Sequence, residues 1–494
     1  VQLFRTKSLE AIQSDVSGDD GGGGQVGHLR KRLSARHLIG FGIGVVIGTG
    51  IFTLTGIQAR ETAGPAVVVS FAIAGLVALL AGLCYAELAS SVPTAGSAYT
   101  YAYATTGELL AWVIGWDLFL EFAFGAAVVA RGWSAYIGNL LDLPTSLFGE
   151  EAPVNVGAAA IVVVLTLVAV LGIRESARVT NVLVLVKVAV CVFVVVTGIW
   201  FVKGANLTPF VPAGEPTEGS GGLTQPLISA IAGLEPATFG IGGVLTAAAV
   251  VFFAYTGFEA VANLSEETRK PSRDIPLGLL GTLGVATALY IGVAFVVVGM
   301  VEYTDIDAGA PIADAFDQVG LGWASALISI AAVAGLTSVI LVDLVTVSRI
   351  GFAMGRDGLL PQSIARVSPR TGTPVRMTLL YAVLVLVAAT FVKLESLANL
   401  VSIGTLFAFV LVSAAVPVLR RTRPDLPRAF RVPFSPIVPV LSALACLYLM
   451  LNLEVETWLR FLAWLLIGLV VYAGYGRRHS RLRDQPQQAA VGSR

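Results

Sequence analysis

Apolar stretches of about twenty residues recur along the whole of this chain, and they leave it few ways to fold. About twelve such runs lie near 38–57, 65–86, 110–138, 154–173, 179–202, 243–264, 277–301, 323–353, 376–392, 396–419, 434–452 and 457–475. A membrane-spanning helix needs about 20 mostly apolar residues, and the runs at 110–138 and 323–353 are long enough to tilt or protrude. Composition agrees: 56% of the 494 residues are apolar and 13% charged, against about 45–50% and about 25% in soluble domains. Lys plus Arg and Asp plus Glu number 32 each. That balance excludes a nucleic-acid partner, which needs a basic excess; the partner of this surface is a lipid bilayer. The predicted fold class is all-α integral membrane, with 12 transmembrane helices.

Little in the spans suits catalysis. Cys84, Cys191 and Cys446 all sit in apolar runs, without the spacing of a disulfide framework or a zinc site, and read as small buried hydrophobes. His28 and His37 precede the first run and His479 follows the last. No catalytic residue, metal or cofactor is expected, and no enzyme. A channel would carry rings of like charge or a filter repeat, and neither is present.

Orientation follows from Lys and Arg, which accumulate in cytoplasmic loops. Arg30, Lys31, Arg32 and Arg36 precede the first run, and Arg174, Arg269, Lys270, Arg356, Arg370, Arg420, Arg421, Arg423 and Arg428 fall in alternate loops. Arg477, Arg478, Arg481 and Arg483 follow the last run, whereas Glu150, Glu151, Glu215, Glu218, Glu302 and Asp305 occupy the opposite loops. Both termini are therefore expected in the cytoplasm of a cell whose plasma (inner) membrane holds the chain. The loop 87–107 carries no Lys or Arg and is the exception. The polar segment 1–37, with a Gly- and Asp-rich stretch at 18–24, reads as a cytoplasmic extension rather than a cleavable signal.

Two runs carry helix breakers near their middles. The first reads Val45-Val46-Ile47-Gly48-Thr49-Gly50-Ile51-Phe52, and the sixth Phe252-Phe253-Ala254-Tyr255-Thr256-Gly257-Phe258-Glu259. Backbone unwinds at membrane depth only where it lines a cavity or is buried in protein, and interrupted segments at matching positions of two halves point to a transport site. The competing reading of Gly42, Gly44 and Gly48 is close helix packing. If the first run breaks, the N–H groups of Thr49, Gly50 and Ile51 form a positive helix end suited to an α-carboxylate. Carbonyls near Val46, Ile47, Phe253, Ala254 and Thr256 then suit an α-ammonium.

Several motifs in order carry a family resemblance: 42–52, Cys84-Tyr85-Ala86-Glu87-Leu88, the segment 93–99, Leu120-Glu121-Phe122, the segment 253–259, the loop 266–276, and Arg356-Asp357-Gly358-Leu359-Leu360-Pro361. Over roughly 30–475 the chain resembles the amino acid–polyamine–organocation superfamily, and within it the bacterial relatives of the cationic amino acid transporters. The resemblance implies a LeuT-type 5+5 inverted repeat with broken helices 1 and 6, spanning 38–419, two additional helices with a basic loop at 420–475, and a cytoplasmic tail at 476–494. It implies an L-amino acid substrate at the breaks, with Tyr255 in the site motif and the Phe253 ring as a thin gate. A sensor built on the same fold would look alike.

Ionisable residues inside spans cost at least about 2.5–3.5 kcal/mol each on insertion scales. Lys187 lies about nine residues past Arg178, roughly 13 Å along a helix, too far for easy snorkelling. The resemblance implies that its ammonium fills the place where sodium-coupled relatives keep a cation between helices 1 and 8. Glu121 and Glu259, by their places in matched motifs, are the other candidates for a proton relay, the alternative being static acids that pin packing. Asp117, one turn from Glu121, is expected to be solvated near the cytoplasm, and Arg131 to snorkel outward. Glu87 and Glu108 fit either an inner gate or a plain interface. Asp343, where bacterial relatives usually carry a large apolar residue, is expected by resemblance to face the substrate side chain. The expected function is proton-coupled amino acid transport by alternating access, with arginine, lysine or ornithine favoured. A neutral amino acid symporter and an exchanger are the alternatives.

Overall fold

The computed structural model describes residues 33–480, except 92–98, 100–102, 104–106, 151, 173–176, 217–221, 369–370, 372, 423 and 425–427. The glycine-rich stretch 18–24, His28, the basic residues 30–32, the motif residues 93–98, and Glu151, Arg174, Glu218, Arg370, Arg423, Arg481 and Arg483 lie outside the described residues. The α-helices of twelve residues or more are, in chain order, α1 (Ala35–Val46), α2 (Val67–Ser91), α3 (Glu108–Leu141), α4 (Val156–Val170), α5 (Ala177–Gly198) and α6 (Gly240–Val251). Then follow α7 (Pro271–Met300), α8 (Gly322–Arg356), α9 (Val375–Phe391), α10 (Leu394–Thr422), α11 (Ile437–Leu451) and α12 (Val455–Val471). Eight helical stretches among the described residues are long and apolar enough to cross a membrane, and α1, α4, α9 and α11 are shorter apolar helices. A two-residue antiparallel pair, Glu215–Pro216 with Ala237–Thr238, is the only sheet among the described residues.

Both suspect runs are interrupted. α1 stops at Val46, Ile47 turns to extended backbone (ψ 101°), and helical turns resume at Gly50 and run on without a loop to Ser91. Gly64, at φ +62°, makes the bend ahead of α2. α6 tightens into a 3-10 turn over Phe252–Tyr255, Thr256 is extended (ψ 153°), and Gly257 sits at φ +89° before a second 3-10 segment, Phe258–Glu267. A side chain at Gly257 would be strained by that φ, and its Cβ would lie 2.8 Å from Val45.

Small residues set the close crossings, as expected where helices pack without a hydrophobic drive between them. α7 lies along α1 and α2, and α3 along α8 and α10. A Cβ at Gly42 would strike Thr282 of α7 (2.2 Å), one at Gly44 Val184 of α5 (2.2 Å), and one at Gly75 Thr287 (2.6 Å). The packing reading therefore holds for Gly42 and Gly44. α12 is fastened to α3 by reciprocal indole bonds, Trp116 to the Trp464 carbonyl (2.8 Å) and Trp464 to the Trp116 carbonyl (3.2 Å).

Two expectations about charged residues are overturned. Arg131 does not reach solvent: it is 1% exposed and donates to the carbonyls of Ala389 (2.9 Å), Thr390 (3.2 Å), Glu150 (2.7 Å) and Ala152 (2.9 Å). The first two belong to the last turn of α9, whose carbonyls have no intrahelical donors and carry the negative dipole end. Asp117 is not solvated either. It is fully buried against Gly404 of α10, and neither carboxyl oxygen has a hydrogen-bond partner among the described residues.

Glu87 and Glu108 both bind the C-terminal part of the chain. Glu87 accepts a bidentate pair from Arg420 (2.9 and 2.6 Å) and the Val432 N–H (2.7 Å), while Glu108 accepts from Tyr472 (2.9 Å) and Ser480 (2.6 Å). Arg131→Met keeps the side-chain bulk but strands the carbonyls of Ala389, Glu150 and Ala152, while that of Thr390 keeps the Asn155 N–H (2.9 Å). At about 1–3 kcal/mol for each buried group left unsatisfied, the loss should exceed about 3 kcal/mol and lower the melting temperature of the purified protein in detergent. Arg131→Lys, which reaches fewer carbonyls, should recover only part of it; a wild-type melting temperature for the methionine variant would show that α9 does not depend on this arginine.

Candidate functional site

The two breaks abut. Gly50 is packed so tightly on Ala254 that a Cβ there would lie 2.4 Å from the alanine Cα. The hydroxyl of Tyr290, from α7, sits 2.8 Å from the Val46 carbonyl and 3.0 Å from the Ala254 carbonyl. The Phe253 carbonyl accepts from the N–H (3.1 Å) and hydroxyl (2.9 Å) of Thr256. The Phe253 carbonyl is thus already occupied, and the single phenol proton serves those of Val46 and Ala254 one at a time. The carbonyls of Ile47 and Thr256 meet no donor among the described residues. The N–H groups of Gly48, Thr49, Gly50 and Ile51 meet no acceptor there, as the first turn of a helix requires.

A cavity of about 440 Å³, the open space at its mouth included, lies at this point. Of the expected residues, Val46, Gly48, Thr49, Gly50, Phe253, Ala254, Thr256, Asp343 and Glu121 line it. Ile47, Ile51 and Tyr255 do not: their side chains are buried elsewhere, and the Tyr255 hydroxyl donates to the Phe71 carbonyl of α2 (2.8 Å). Val45, Phe122, Gly125, Val129, Gly257 and Val339 complete the lining and were not anticipated. Glu121, Gly125 and Val129 follow each other at four-residue intervals, as do Val339 and Asp343, so a helical-face projection from the two acids would have found three of them. Nothing in the sequence around Tyr290 marks it.

Behind the lining lies a group of charges. Lys187 donates to the Gly44 carbonyl of α1 (2.8 Å), and its stem lies on Gly335 of α8, where a Cβ would be 2.9 Å from the lysine Cγ and Cε. Glu259 faces Glu121 as a carboxyl pair. Glu121 Oε1 and both Glu259 oxygens are buried without a bond of good geometry among the described residues. Asp343 points towards Gly125, whose Cβ position is 3.6 Å from its Oδ2, and is within electrostatic range of Lys187 and Glu259.

The sequence pattern of the family described as Amino acid permease matches residues 33–474. The chain belongs to the amino acid permease family. The permease is 42% identical over 490 residues to a methylthioribose transporter of Bacillus subtilis, covering 97% of this chain and 99% of that protein. It is also 42% identical over 496 residues to the branched-chain amino acid permease BcaP of Bacillus subtilis, covering 98% and 99%. With cationic amino acid transporter 4, vacuolar, of Arabidopsis thaliana, it shares 32% identity over 579 residues, covering 92% and 93%. The permease is thus a multi-pass membrane protein of the amino acid–polyamine–organocation superfamily and not an enzyme.

The glycines of the first break separate packing from binding. A Cβ at Gly48 would meet nothing nearer than Val339 at 4.0 Å, inside the cavity, whereas one at Gly50 would collide with backbone. Gly48→Val should fold with a near-wild-type melting temperature yet weaken ligand-induced thermal shifts at least tenfold in concentration. Gly50→Ala should lower the melting temperature itself. Equal ligand response from wild type and the Gly48 variant would return Gly48 to a packing role.

Proposed function

We propose that this permease is a secondary active carrier that moves an L-amino acid across the plasma membrane by alternating access, coupled to protons. We further propose twelve spans arranged as a LeuT-type 5+5 inverted repeat plus two helices, with both termini cytoplasmic. The observation that carries the reading is the break itself. Among the described residues, four unmatched N–H groups at residues 48–51 and two unmatched carbonyls, of Ile47 and Thr256, stand beside one cavity. Helix-end N–H groups favour a carboxylate, and bare carbonyls favour an ammonium, so the pair reads the α-carbon of a zwitterion. The Phe253 ring, at the wall, serves as the thin gate.

Proton coupling is supported by the arrangement of Lys187, Glu121 and Glu259. The lysine ties α1 to α8 at the place a coupling cation would take, and the facing carboxyls of Glu121 and Glu259 can share a proton between their oxygens. For the side-chain pocket, Asp343 favours a cationic substrate. A charge-assisted bond from guanidinium or ammonium to that carboxylate supplies about 1.5–3 kcal/mol, or roughly ten- to a hundredfold selectivity. A second reading, a neutral amino acid substrate, is favoured by the nearness of Lys187 to Asp343 and by the four valines and two phenylalanines in the wall.

Labelled arginine and leucine uptake into proteoliposomes, with and without an inward proton gradient, tests the proposal. Gradient-driven accumulation is expected, with arginine displaced by lysine and ornithine better than by leucine or alanine. Better displacement by neutral amino acids would select the second reading, and uptake driven only by counter-substrate would make the permease an exchanger. Lys187→Met should abolish accumulation while leaving ligand binding measurable. Asp343→Asn should weaken arginine and lysine ten- to a hundredfold and alanine less than threefold; equal losses would remove Asp343 from substrate selection.

A further inference from the structure

Tyr290 was not foreseen, yet its hydroxyl touches both broken helices at once. Val46 is the last residue of α1 and Ala254 lies in the turn that ends α6, so their carbonyls are two negative helix ends brought face to face. Such ends repel in a dry interior and need a donor between them. The phenol oxygen, 2.8 and 3.0 Å from them, is that donor. Packing, not the break, fixes where this oxygen stands. The ring is fully buried, edge-on to Phe71 (5.8 Å) and Tyr255 (5.3 Å), and α7 is locked to α1 and α2 through Thr282 on Gly42 and Thr287 on Gly75.

Resting on the reading of the break as an amino acid site, we propose that the Tyr290 hydroxyl is the positioning group of the substrate cradle and sets its stereoselectivity. The carboxylate donors at 48–51 belong to the continuation of α1, and one of the two carbonyls bare among the described residues, Thr256, belongs to the break that follows α6. Their separation is fixed on one side by the contact of Gly50 with Ala254 and on the other by the Tyr290 bridge. Recognition of an L-α-carbon needs three points held at fixed distances: carboxylate donors, ammonium acceptors and a side-chain pocket. If the bridge is lost, the two helix ends part and the first two points lose their register. A hydroxyl has a single proton, so it donates to one carbonyl at a time and can pass to the other as the substrate ammonium arrives nearby.

The experiment compares wild type, Tyr290→Phe and Tyr290→Leu in proteoliposomes, measuring KM and maximal rate for L- and D-enantiomers of whichever amino acid wild type transports. Phenylalanine keeps the ring on Phe71 and Tyr255 and removes only the bridge. Expected is a KM for the L-form raised about tenfold, a D-form KM changed less than twofold, and a maximal rate within twofold of wild type. Leucine should match phenylalanine in its enantiomer ratio. A wild-type enantiomer ratio in Tyr290→Phe overturns the proposal, as does an equal rise for both enantiomers, which marks general loosening. Tighter L-binding also overturns it, making Tyr290 a competitor for the ammonium. A wild type that transports no amino acid removes the reading of the site instead, and this inference with it.

Discussion

Unwound backbone inside an apolar bundle is the constraint on which the rest of this structure depends. Each bare N–H or carbonyl at membrane depth costs several kcal/mol unless something meets it, and here two helices are interrupted at the same place. The chain solves most of the problem internally. Thr256 closes on the Phe253 carbonyl and Tyr290 serves those of Val46 and Ala254 one at a time. What remains unmet among the described residues, four donors on one side and two acceptors on the other, forms a pattern of charge complementary to a zwitterion. A bundle that only needed stability would have continued both helices. The glycines follow from the same constraint: Gly50 lets the two breaks touch, Gly257 supplies a left-handed turn, and Gly48 leaves room.

Much of this was legible in the sequence because it depends on local backbone chemistry. Gly48-Thr49-Gly50 and Thr256-Gly257 announce interruptions by residue type alone, and the apolar runs announce helices by length. The acids at 121 and 343 were legible as costly exceptions within apolar surroundings. Tyr290, Arg131 and Asp117 were not legible, for one shared reason: their roles are set by what another helix brings to them. A tyrosine in an apolar run looks like an interfacial ring until the carbonyls of α1 and α6 arrive beside it. An arginine near a helix end looks like a snorkelling side chain until the open end of α9 is docked upon it. Asp117 sits where α10 places Gly404, a pairing between segments almost three hundred residues apart in the chain.

The loop 87–107 shows how a departure from a sequence rule acquires a physical reason. The loop 87–107 lacks Lys and Arg, against the trend of the other loops expected inside. Glu87, at its start, is instead covered by Arg420 from the end of α10 and held by the Val432 N–H, with Arg428 at 3.6 Å. Glu108, at the start of α3, is tied by Tyr472 and Ser480. The basic charge that the loop lacks is thus supplied from the segment leading into the two additional helices. These helices act as a clasp across the ends of α2 and α3, in addition to the indole bonds that hold α12 to α3.

Acids outnumber bases among the groups behind the cavity, and that bears on the proposed coupling. Asp117, Glu121, Glu259 and Asp343 are all buried, and Lys187 is a basic side chain within electrostatic range of Asp343. In a medium where charges are poorly screened, none of these groups changes state alone: a proton gained by Glu121 or Glu259 alters the field at Asp343, which alters the hold of Asp343 on Lys187. Lys187 in turn is bonded to the Gly44 carbonyl, one turn before the break in α1. A cation seated beside Asp343 would therefore compete with Lys187 for the same carboxylate and loosen or tighten the tie between α1 and α8. In the proposed cycle the substrate side chain and the proton act through one shared lysine, so selectivity at Asp343 and coupling at Lys187 are two consequences of one electrostatic group.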